Sequence, residues 1–164
     1  MLVANVPEED AGDPSGNPLF QAACEAAAVR KHPIIPVATC IEKEIAQLDT
    51  ADQEAFLFEM GIPSSGLDRI VEAVYGLLSI ITFFTAEKTE ARAWPVKKGT
   101  RAAEAAGKIH TDFERTFIRA EVMSHDDLKK HGSEAAVRES GRLRLEGRGY
   151  EVQDGDVIHF RCGA

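Results

Sequence analysis

The sequence predicts an α/β chain in two parts, a parallel strand-helix-strand unit over residues 1–79 and an α+β sheet over residues 80–164. Three observations predict it. Two short apolar runs, "LVAN" and "PIIPVATC", flank an Ala-rich stretch with a helix-start signal, which is the order of one parallel crossover. From Ile80 the texture turns to β-branched and aromatic residues bounded by polar turns. Charge changes at the same place. Residues 1–79 hold 4 Lys/Arg against 13 Asp/Glu, whereas residues 80–164 hold 15 against 14, so the two parts suit different partners.

Leu2–Asn5 reads as a short buried strand followed by an acidic loop rich in Gly and Pro. Asn17 can cap a helix with Pro18 at its first position, and "PLFQAACEAAAVRKH" continues it. "PIIPVATC" is the second strand. Helical stretches are expected at about 41–48, 51–60 and 66–78, the second stopped by Gly61 and the third opened by Ser65 with Asp68 three residues on. In the second part "IITFFT" and "EARAWPV" read as strands, and Pro95 marks the latter as an edge or a bulge. Thr100 is expected to cap a helix over "RAAEAAGKIH", with a strand near 116–123 and helical turns at 126–131 and 134–139. Asp154-Gly155 between "YEV" and "DVIHF" signals a hairpin. Two strands, helix, strand, small helices and final strands is the order of a ubiquitin-like β-grasp.

Composition excludes several classes. At 164 residues and 44% apolar content a real core is within reach. Cys24, Cys40 and Cys162 lie far apart without a CxxC, so neither a zinc site nor a disulfide framework is expected, and a reducing cytoplasm fits. No apolar run reaches the roughly 18 residues of a membrane span, and no secretory signal opens the chain. A net charge of −8 disfavours tight binding to free nucleic acid.

A self-contained catalytic constellation is absent from the sequence. A phosphate loop needs GxxxxGK[ST], yet Gly107-Lys108 has Ala102 for the first Gly and Ile109 for the hydroxyl residue. Asp13-Pro14-Ser15-Gly16 matches DxxG but follows the first strand, and reads as a turn. His110 and Asp112 read as a local structural hydrogen bond rather than a proton-transfer pair. His125, His131 and His159 lack ligand spacing. Cys40, at an apolar strand end, is expected to be buried, and Trp94 to be core.

The runs "RAWPVKKGTRAAEAAGKIHTDFERTFIRAEVM" and "GSEAAVRESGRLRLEGRGYEVQDGDVIHF", with "GLDRIVEAVYGLLSIITFFTA" before them, closely resemble the C-terminal part of the YchF or Obg-like ATPase family. The likeness covers essentially the whole chain. It implies the C-terminal remnant of an Obg-type P-loop G domain over 1–79, followed by a TGS domain, a ubiquitin-like β-grasp, over 80–164. In the intact family it implies ATP (or GTP) with Mg²⁺ as cofactor, hydrolysis of ATP, and association with the ribosome, its large subunit or RNA, through the TGS domain. By that likeness the chain begins past the middle of the G domain, so phosphate loop and switches are expected to be missing and no nucleotide to bind tightly.

The resemblance also assigns residues. GTPases read guanine with NKxD, whose carboxylate accepts from N1–H and the exocyclic amine; adenine offers an acceptor at N1, so a carboxylate there is repelled. The YchF-like family carries NxxE, and Asn5 and Glu8 match it, with the Val6 backbone beside Asn5. Ala38 and Thr39 in "VATC" occupy the second base-contacting loop, both loops lying at carboxyl ends of parallel strands. In the second part Lys97, Lys98, Arg101, Arg142, Arg144 and Arg148 are candidates for meeting ribosomal RNA phosphates. Pro95 and the tail "FRCGA" depart from the family pattern. The alternative reading is a stand-alone TGS interaction module without nucleotide hydrolysis.

Overall fold

The computed structural model describes residues 1–86 and 90–163; the polar turn read between the two aromatic strands falls at 87–89, outside the described residues. The chain divides into two compact units, Met1–Leu77 and Leu78–Ala164.

In unit 1 the strands β1 (Leu2–Asn5) and β2 (Ile34–Val37) lie parallel in the register Leu2↔Ile34 through Asn5↔Val37. Helix α1 (Pro18–Val29) makes the crossover. Its start is set by Asn17, whose Oδ1 accepts from Leu19 N (2.9 Å) and Phe20 N (3.2 Å), with Pro18 where no donor is needed. Next come α2 (Thr39–Ile45), α3 (Thr50–Glu59) and α4 (Gly66–Leu78). Helix α2 begins two residues before the expected start, because Thr39 is drawn in by Asn5. Asp49 caps α3, and Ser65 caps α4 through Asp68 N at 3.1 Å. Gly61, after α3, turns left-handed at φ 66°, a conformation Gly adopts without a Cβ penalty. The core is small: Val6, Ala11, Ala38, Ile41, Ile45 and Ile62, with Phe20, Phe56 and Leu57 at its margin.

Unit 2 is a five-stranded sheet in the order β4-β3-β7-β5-β6. The strands are β3 (Ile80–Ala86), β4 (Ala91–Lys97), β5 (Phe117–Ser124), β6 (Arg144–Glu146) and β7 (Asp156–Cys162). β7 is parallel to β3 and antiparallel to β5. Helix α5 (Ala102–Ile109) lays four alanines, 102, 103, 105 and 106, against Phe83, Ala120, Val122 and Ile158. Small side chains let helix and sheet approach closely. On the other face α7 (His125–His131) and α8 (Glu134–Glu139) cover Met123 and Val157 with Val137.

Pro95 sits on the edge strand β4, where its missing donor costs no ladder bond. Trp94 packs on the core, stacked on Phe83 at 6.4 Å, and its indole N–H donates to Thr85 Oγ1. Four expectations need correction. Asp154-Gly155 does turn the chain, with Gly155 at φ 79°, but no hairpin forms. Val152 N donates to Thr100 O and Tyr150 O accepts from Ala102 N, while β7 runs between β3 and β5. Thr100 does not cap α5; its hydroxyl donates to Lys97 O, and Glu104 accepts from Arg101 N instead. His110 caps a short helix, α6 (Thr111–Thr116), that was not expected. Cys40 is exposed, since α2 opens at Thr39 and turns it outward.

Candidate functional site

The carboxyl ends of β1 and β2 meet at Asn5. Register sets Asn5 opposite Val37, so the loop that leaves β2 passes over its side chain. Asn5 Oδ1 accepts from both Thr39 N (3.2 Å) and Thr39 Oγ1 (2.9 Å). An acceptor facing a backbone N–H must be the amide oxygen, which fixes the flip of the side chain and leaves Nδ2 as the outward group. Val6 N donates to Val37 O at 3.0 Å, so that amide is not available to a base. The Val6 and Ala38 side chains are buried in the core, leaving only their backbones to present, and Ala38 N donates to no protein group among the described residues.

A cleft of about 190 Å³ opens beside Asn5, lined by Ala4, Val6, Pro7, Asn17, Leu19, Phe20 and Ala23. Glu8 is exposed at the start of a 3-10 turn, Glu8–Asp10, and lines a different concavity with Glu9, Gly12, Asp13 and Met60. Asn5, Val6, Ala38 and Thr39 therefore come together, and Glu8 does not share the Asn5 cleft. Ala38 and Thr39 do not line that cleft. Among the described residues no group of three or more His, Cys, Asp or Glu is placed to hold a metal ion by itself. Gly107, in the Gly-Lys pair, lies within α5 against Glu114 and faces no phosphate cradle.

In unit 2 the predicted basic residues divide. Lys97, Lys98, Arg101 and Arg142 are exposed. Arg148 instead donates to Glu114 O (2.8 Å) and Phe117 O (3.4 Å), and Arg144 donates to the buried Asp156 at 3.1 Å and lies over the Tyr150 ring at 5.3 Å. Both are tethered to the fold by these bonds while their side chains stay exposed, Arg144 by 45%, which the run "RLRLEGR" could not reveal. Asp156 also accepts from Tyr150 Oη (2.8 Å) and Gln153 N (2.9 Å). Burial, with the bond to Asp156, pushes the Tyr150 phenol up to about 12.

Sequence reasoning missed Glu121 on β5. Its side chain is 7% exposed and faces Arg161 at 3.0 Å, Arg138 at 3.4 Å and Arg119 at 3.6 Å. The hydrogen bonds from Arg161 hold its carboxyl below the usual value of 4.5, against the opposing effect of burial. A two-residue alternation in "FIRAEV" was the available signal, since it puts Arg119 and Glu121 on one face.

Residues 80–163 match the family model YchF-GTPase_C, described as a protein of unknown function (DUF933). Over 161 residues the chain is 50% identical to a ribosome-binding ATPase YchF of Bacillus subtilis, covering 98% of this chain and 44% of that one. It is 45% identical over 128 residues to the Obg-like ATPase 1 of Gallus gallus, covering 78% and 32%. The structure of the Schizosaccharomyces pombe YchF GTPase matches with a TM-score of 0.82 at 28% identity, over 97% of this chain and 42% of that one. The chain thus spans less than half the length of these relatives. With a mixed α/β fold that reproduces the C-terminal region of that structure and a family match over more than half its residues, the chain belongs to the YchF family of Obg-like ATPases.

Proposed function

We propose that unit 1 supplies the base-reading corner of a YchF-type ATP- or GTP-binding site and that unit 2, a TGS domain, contacts the ribosome in the cytoplasm. The observation that carries the first half is the Asn5–Thr39 lock. With its oxygen saturated, Asn5 presents only a donor, and the matching purine acceptor is N7, common to adenine and guanine. The corner therefore selects a purine without choosing between ATP and GTP, and Glu8 lies off the base edge. These 164 residues contain no phosphate loop, so base contacts stand alone. At about 0.5–1.5 kcal/mol net per hydrogen bond, offset by the cost of association, affinity is no tighter than about millimolar. Hydrolysis by the chain itself is not expected. Calorimetric titration with Mg²⁺-ATP and Mg²⁺-GTP tests this. Micromolar binding, or steady phosphate release, overturns it.

The second half is supported by the names of the relatives, which are ribosome-binding ATPases, and by a unit that carries its own core. Co-sedimentation with bacterial ribosomes at rising salt tests it, because phosphate contacts weaken steeply as salt rises. If unit 2 alone sediments as the whole chain does, the stand-alone interaction module is the better description.

A further inference from the structure

The sheet face of unit 2 opposite α5 bears an ion cluster that no basic run in the sequence announces. Arg119 and Glu121 stand two residues apart on β5, and Arg161 of β7 is the register partner of Arg119, so all three project from one face. Arg138 reaches the same carboxylate from α8. Glu121 is buried, whereas the side chains of Arg119, Arg138 and Arg161 are 53%, 65% and 56% exposed. Arg161 holds Glu121 with both ends of its fork, at 3.2 and 3.0 Å. One carboxylate cannot neutralise three guanidiniums, and the cluster keeps a surplus of two positive charges. Glu134, one turn before Arg138 on α8, is bonded to His159 at 2.8 Å. Leu145 of β6 is the register partner of Glu121 and is largely exposed, placing an apolar spot on the same face.

We propose that this face docks the phosphodiester backbone of RNA, with Arg119, Arg138 and Arg161 meeting phosphate oxygens while Glu121 holds their forks in place. The inference rests on the ribosome-contacting reading above and names the surface that serves it. Guanidinium forks match the paired oxygens of a phosphate. Here Glu121 takes at most two donors from any one fork, so the rest are free for a ligand. The Arg161 fork is held by two hydrogen bonds before binding, so less side-chain entropy is lost there on docking. All three guanidiniums lie within 3.6 Å of the one carboxylate, so their remaining N–H groups are gathered in one patch of dense positive charge, which suits phosphodiester groups.

The test compares the whole chain with the double variant Arg119→Gln/Arg138→Gln, which leaves the Arg161 fork on Glu121 and so keeps the carboxylate paired. Binding to bacterial ribosomes and to a protein-free ribosomal RNA hairpin is followed across salt, with circular dichroism reporting the fold. Removing two phosphate contacts should weaken both by about tenfold near physiological salt and lower the log–log salt slope by about one to two. If the double variant melts early, Arg138→Gln alone should lower the slope by about one. Wild-type binding with a steep salt slope that the folded variants leave unchanged overturns this surface while the ribosome reading stands. Failure of the wild-type chain to bind ribosomes overturns both. Displacement by polyglutamate with no binding to the RNA hairpin assigns the face to an acidic protein and overturns the proposal.

Discussion

Unit 1 and unit 2 are nearly equal in length but differ in how they close their cores. Unit 2 covers both faces of a five-stranded sheet and buries Phe83, Met123 and Ile158 completely. Unit 1 has only two strands, and leaves Leu2, Val3, Leu67 and Val71 exposed along β1 and α4. Two-stranded sheets are marginal in water, while three or more strands with a covered face stand alone. The contrast teaches that unit 2 is the half built to be self-supporting. The corner proposed to read a purine sits on the weaker half.

The largest expected effect follows from that contrast. In urea, far-UV circular dichroism should show an early loss of helix from unit 1, before the fluorescence of Trp94, the only Trp, reports unit 2. Unit 2 is expected to retain stability of about 5 kcal/mol after unit 1 has melted. Coincident transitions by the two probes would erase the distinction.

Next in size, Asp156→Ala should strike unit 2. It removes the acceptor shared by Arg144, Tyr150 and Gln153. Leaving such partners unpaired costs about 3 kcal/mol, read as a shift of the Trp94 midpoint with the early phase unchanged. Gly66→Ala strikes the other half. A Cβ at position 66 would stand 2.9 Å from Val37 Cγ1 and 2.7 Å from Glu42 Oε1, the atom that accepts from Gly66 N. Such overpacking costs about 1–3 kcal/mol, and here the early helical phase should move while Trp94 does not.

The smallest effects are in pH. Glu121 has a folded pKa lowered from 4.5, so its contribution is complete above that value and is lost as pH falls through the folded one. Tyr150 is shifted the other way, from 10.0 to about 12. Its contribution is complete below 10 and declines as pH rises toward 12. Both act on unit 2 alone, so the Trp94 midpoint should be insensitive to these groups between the two limits. Tyr150→Phe should abolish the alkaline part of the decline, measured alongside tyrosinate absorbance; a decline that persists unchanged assigns it elsewhere.

What could be read in the sequence follows the range of the forces involved. Asn17 with Pro18, Ser65 with Asp68, and Pro95 on an edge are local signals, each decided within a few residues. Asp154-Gly155 carried the right turn chemistry, yet partner choice belongs to the sheet as a whole, and β7 paired with β3 and β5. The Asn5–Thr39 contact joins residues 34 apart, and spacing alone could only place them at neighbouring strand ends. Arg119, Arg138 and Arg161 come from three elements, and only register and the packing of α8 bring them to Glu121. Arg144 and Arg148 show the converse, since part of a dense basic run is tied down by Asp156 and by the carbonyls of Glu114 and Phe117.

β7 is the last strand of unit 2 in sequence and the middle one in space. During synthesis the antiparallel pair of β3 and β4 therefore waits without its central neighbour until β7 has been made. A polypeptide ending before β7, and so before Arg161, would carry Arg119 and Arg138 on β5 and α8 but lack the strand that joins the β3–β4 pair to the β5–β6 pair.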